Sequence, residues 1–161
     1  CIRDRGDKVP GTVALLIAKD RAKLLARWAE EMDELCGVLD GSHHDPYAME
    51  ATQTFYWASL YAVSGGCAWE QIDFDQQRRL AATCGVDTVV ELRAAVKRVL
   101  ALGPESAKPE KLFLLWNVAD RIYRGQKQAD DRWTLEQLME IDLQEMKKRP
   151  YLEPILREIT D

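Results

Sequence analysis

The chain has 161 residues, 47% of them hydrophobic, enough for one domain with its own core and tight for two. Its net charge of −5 argues against a general nucleic-acid or membrane-surface binder, because a phosphate backbone demands a basic face. A nucleotide substrate stays admissible, since a metal ion can supply the positive charge.

Residues 1–11 (CIRDRGDKVPG) are polar and read as an irregular lead-in. From Thr12 to about Leu39 the pattern is helical: Leu25, Trp28, Met32, Leu35 and Leu39 recur at spacings of three and four. Gly41 to Pro46 form a loop. A second helix runs from about Asp45 or Pro46 to Ser64, apolar on nearly every side from Phe55 to Val63, and is predicted to be central. Gly65 and Gly66 end it. Trp69 to Cys84 reads as a third helix, and Asp87 can cap a fourth, Thr88 to Leu102. A connector at 103–109 leads to a fifth helix, about Glu110 to Arg124. After the polar stretch GQKQADDR (125–132), Thr134 caps a last long helix with Gln137 three residues on. Pro150 stops that helix, and 151–161 read as a short final one. Period-two alternation is absent. The expectation is one all-α domain over 1–161, a bundle of about five or six helices.

The four cysteines, Cys1, Cys36, Cys67 and Cys84, form no C-x-x-C pair, and the two histidines, His43 and His44, are adjacent, so no zinc spacing exists. Such scatter suits reduced thiols in a core, and with no signal peptide and no membrane-spanning apolar run it predicts a cytoplasmic protein.

The chemistry concentrates in WAEEMDEL, residues 28–35. On a helical wheel Trp28, Met32, Leu35 and Leu39 make the apolar stripe, with Glu31 at its edge and Glu34 beside it at i+3. Glu30 lies further round toward solvent, next to Glu34 at i+4, and Asp33 points away. Two neighbouring glutamates repel unless something positive sits between them, and a hard cation such as Mg²⁺ takes carboxylate oxygens. Glu50 and Gln53 share a face at the start of the apolar second helix, where a carboxylate needs a partner or a metal. The competing reading is a solvated face, with Glu30 paired to Arg27 or Lys23 and Glu50 stabilised by the helix dipole. His43, His44 and Asp45 lie between the acidic helices and read as a surface loop near where a substrate would enter.

The ordered combination EEMDEL, a short Gly-containing loop and EATQTFYWASLYAVSGGCAWEQI resembles the MazG and phosphoribosyl-ATP pyrophosphohydrolase superfamily of all-α nucleoside triphosphate pyrophosphohydrolases. Glu30, Glu31 and Glu34 fill that family's EExxE, and Glu50 fills the first position of its ExxD. Gly65, Gly66 and WEQI (69–72) fill the close. The resemblance covers about residues 20–75 and departs at Gln53, which stands where the family has Asp. It implies a MazG-like four-helix core in 12–75, with 76–161 as a helical extension. It also implies hydrolysis of a nucleotide between the α- and β-phosphates, to a monophosphate and pyrophosphate. On that implication Glu31, Glu34, Glu50 and Gln53 ligate Mg²⁺ or Mn²⁺. Glu30 or Glu34 handles the attacking water, and Arg27, Lys23, Arg121 and Arg124 hold phosphates. Family members associate through bundle helices, which implies a homodimer.

Residues 110–138 echo the first half faintly: WNVADRIYR (116–124) lies on MEATQTFYW (49–57), which makes a degenerate second repeat one reading of 76–161. Two functions are expected from these residues. One is the pyrophosphohydrolase. The other is a catalytically inactive helical module acting in nucleotide binding or assembly, which Gln53 favours.

Overall fold

The computed structural model describes residues 11–126 and 133–148, and within them every regular element is helical. The α-helices are α1 (Gly11–Ala18), α2 (Arg21–Asp40), α3 (Tyr47–Ser64), α4 (Phe74–Thr83), α5 (Val89–Ala101), α6 (Pro109–Gln126) and α7 (Leu135–Lys147), with a 3-10 turn at Trp69–Gln71. The all-α expectation holds. No helix is long and apolar enough to cross a membrane among the described residues. The expected final helix at 151–161 and most of the lead-in fall outside the described residues.

Boundaries shift where side chains compete for backbone groups. The single helix expected from Thr12 to Leu39 breaks at Lys19, whose φ of 52° is left-handed. Asp20 then accepts from the Lys23 amide and starts α2 afresh. The helix expected over Trp69–Cys84 breaks at Asp73, which caps α4 through the Gln76 amide. Thr88, rather than Asp87, caps α5, and Glu91 returns to the Thr88 amide in a capping box. The Thr134–Gln137 capping box forms as expected.

Four helices close a ring: α2 packs on α3, α3 on α6, α6 on α5, and α5 on α2. The four-helix layer therefore draws one hairpin from each half of the chain and is not contained in 12–75. The reason is apolar area. Leu92, Val96 and Val99 of α5 and Leu112, Phe113 and Val118 of α6 are buried, as are Leu24, Trp28 and Met32 of α2, so neither hairpin covers its own face. Aromatic contacts set the α3–α6 seam: Tyr47 stacks on Tyr123 with ring centroids 3.5 Å apart, and the Trp116 indole donates to the Ala51 carbonyl at 2.8 Å. On α2, Arg93 of α5 binds Asp33 and, at 3.1 Å, Asp40, so Asp33 faces α5 and not Glu50. Helix α3 is central, against α2, α6 and α7, although Val63 stays 62% exposed. Of the cysteines, Cys36 is a core residue, Cys67 is half-buried and Cys84 exposed, all three as free thiols; Cys1 lies outside the described residues.

Candidate metal centre

The hairpin of α2 and α3 brings the acidic residues together. Glu31 and Glu34 come from α2, and Glu50 enters from the first turn of α3. Glu31 and Glu50 are buried at 2% and 1% exposure, on helices whose other buried residues include Trp28, Met32, Leu35 and Trp57. Glu34 is exposed at the rim.

The connecting loop adds a residue that the wheel does not select. Gly41 ends α2 in the left-handed region at φ 81°, and Ser42 donates its amide and hydroxyl to Asp40, holding that carboxyl below its usual range. The chain folds back over α2, where the His43 amide donates to the Gly37 carbonyl at 3.0 Å. A Cβ at Gly37 would lie 2.7 Å from the Cβ of His43, so the close approach requires glycine there. The imidazole then sits with Nε2 3.0 Å from Asp45 Oδ2 and 3.6 Å from Glu50 Oε1.

One ligand atom each from Glu34, His43 and Glu50 lies within 4.8 Å of the others. The electrostatics fit a cation. Burial, then the charges of Glu34 and Glu31, push the Glu50 carboxyl up to about 7, against the pull of His43. Burial likewise raises Glu31, opposed by Arg27. Glu31 Oε2, Glu50 Oε2 and the Thr54 hydroxyl, one turn beyond Glu50, are buried with no hydrogen-bond partner. Buried carboxylate oxygens without partners are costly unless a proton or a metal meets them. The donor set, carboxylates with one imidazole, could hold a divalent ion.

The remaining expected site residues divide. Arg27 lies over the Trp57 ring, 5.1 Å from its centroid, and pairs with both Glu30 and Glu31. Glu30, exposed, therefore faces Arg27 as the solvated-face reading has it, and not the three converging groups. Lys23 faces solvent and pairs with Asp20 at 3.4 Å. Gln53 is half-buried. Arg121 and Arg124 are not brought to the acidic cluster. Arg121 donates to Asp87 and the Val86 carbonyl, Arg124 to Asp120 and the Trp133 carbonyl, and both line a separate cleft between α4, α6 and α7 to which α2 and α3 contribute nothing.

His43 is the residue that sequence reasoning passes over as surface loop. The available signal is a glycine inside the helical pattern, Gly37, followed six residues later by a histidine just past a glycine stop. Compared with protein-family models, curated proteins and solved structures, the chain matches none of them.

Proposed function

We propose that the chain is a metal-dependent nucleotide pyrophosphohydrolase of the MazG-like kind, which cleaves a nucleoside triphosphate-like substrate with water to a monophosphate and pyrophosphate. A cytoplasmic homodimer using Mg²⁺ or Mn²⁺ goes with this reading. The observation that carries it is the convergence of Glu34, His43 and Glu50 beside buried carboxylate oxygens that have no partner. Glu34, His43 and Glu50, with Glu31 behind them, would hold the ion, whose chemistry is Lewis-acid polarisation of phosphate oxygens. Glu34, at the exposed rim, is better placed than Glu30 to accept the proton of the attacking water, because Arg27 already holds Glu30. Arg27, stacked on Trp57 and partly exposed, offers a guanidinium that a substrate phosphate can recruit.

The test is pyrophosphate release from a panel of nucleoside and deoxynucleoside triphosphates and phosphoribosyl-ATP, with Mg²⁺ and with Mn²⁺. Metal-dependent release is expected, falling about a hundredfold or more in Glu34→Gln. Absence of release from every substrate by folded protein would transfer support to the second reading, an inactive helical module that binds nucleotides or assembles. Gln53 favours that second reading, since an amide contributes no charge to a cation site.

A further inference from the structure

A second cleft, of about 500 Å³, lies between α4, α6 and the start of α7. Its lining separates by chemistry. Ala81, Trp116 and Leu138 form an apolar wall, and Arg78, Arg121 and Arg124 bring three guanidinium groups. Asp120 is the one carboxylate among the described lining residues, and it is already engaged, accepting from the Tyr47 hydroxyl at 3.1 Å and from Arg124 Nε at 2.7 Å.

Arg121 is the most firmly held of the three. Its Nη1 donates to Asp87 at 2.8 Å and its Nη2 to the Val86 carbonyl at 2.5 Å, which pins the side chain to the turn before α5. Its Nε–H is buried and has no acceptor. A guanidinium cannot shed that proton, so Arg121 keeps its full charge beside the cleft. Arg78, exposed and 3.6 Å from Asp75, is a loosely held second cation at the mouth. Two held guanidinium groups and a looser third beside an apolar wall favour an anion with several acceptor oxygens joined to a flat or apolar body.

We propose that this cleft binds a phosphomonoester, its phosphate on Arg121, Arg78 and Arg124 and its organic group against Trp116. This site shares no residue with the acidic cluster and does not depend on the hydrolase reading.

Calorimetric titration of the full chain in a chelator tests it, with adenosine monophosphate, inorganic phosphate and adenosine as probes. The chelator prevents the acidic cluster from recruiting phosphate through a metal. The nucleotide is expected to bind saturably at one site per chain. Adenosine and inorganic phosphate should each bind about tenfold or more weakly, because each lacks one half of the ligand. Arg78→Gln should weaken nucleotide binding about tenfold, and Glu34→Gln should leave it unchanged. Arg121→Gln should abolish it, but that change also frees the turn at Val86, so exposed Arg78 supplies the variant that spares the fold. Absence of saturable binding, equal binding of adenosine, or undiminished binding by Arg78→Gln would each overturn the proposal. A chain that releases no pyrophosphate yet shows this titration would retain the cleft and lose only the hydrolase.

Discussion

Glu50 carries a strained protonation equilibrium. Its carboxyl titrates near 7 in the folded protein against an ordinary value of 4.5, because burial and two neighbouring glutamates disfavour its charge. The metal-free folded state therefore holds a proton that the unfolded chain has released across that interval. Stability is greatest below the lower value, falls as pH rises toward about 7, and is flat beyond it. The loss is bounded at roughly 3–4 kcal/mol, since each tenfold change in proton affinity is worth roughly 1.4 kcal/mol. Thermal melts in a chelator should show this decline, and Glu50→Gln should flatten it and raise the melting temperature above pH 7. Saturating Mn²⁺ should oppose the decline, since a bound cation stabilises the ionised carboxylate. Glu31 and Glu34 are legible on the wheel because one helix decides their separation. His43 is not, because its position depends on a loop conformation that no periodicity encodes.

At the scale of elements, the turn between α2 and α3 assembles the cluster. Gly37→Ala puts a methyl into the Cβ of His43 and leaves the helix itself content, since alanine outranks glycine in a helix interior by about 1 kcal/mol. The expected outcome is a folded protein whose metal-dependent rise in melting temperature is reduced severalfold, measured beside the same melt without metal. An unreduced rise would remove His43 from the ligand set. The helices themselves are largely readable from spacing, and their breaks at Lys19 and Asp73 are not. Apolar period runs across both breaks, whereas Asp20 and Asp73 offer local acceptors that win over continuation. The direction in which Arg121 and Arg124 leave α6 is equally hidden, because it follows from which helices cover the rest of α6, with α4 and the start of α7 only edging the cleft they line.

Across the whole molecule, Arg21 joins three segments distant in sequence. Its guanidinium lies over the Tyr61 ring, 4.2 Å from the centroid, and donates to the Tyr61 carbonyl and Ser64 hydroxyl at the end of α3 and to Pro104 in the α5–α6 connection. Tyr61 reaches the same connection through Pro104 and Ala107. Arg21→Met should cost on the order of 1–2 kcal/mol in denaturant unfolding, since it removes the guanidinium's hydrogen bonds and its charge over the Tyr61 ring, while the Ser64 and Tyr61 hydroxyls still reach the Tyr61 and Pro104 carbonyls. A change under about 0.5 kcal/mol would show that the ring of helices closes without this tie.

The α2–α3 loop has one more consequence, in time rather than in energy. His43 closes over α2 by a single backbone bond to Gly37, and its imidazole meets Glu50 and Asp45 at the mouth of a like-charged cluster. Without a cation the carboxylates push this hairpin end apart, so the amide of His43 should exchange with deuterium far faster than those in the middle of α2. With a cation in place, opening must first break its ligand bonds. A bound metal would then act as a latch, and the exchange lifetime of that one amide would report whether the latch is shut.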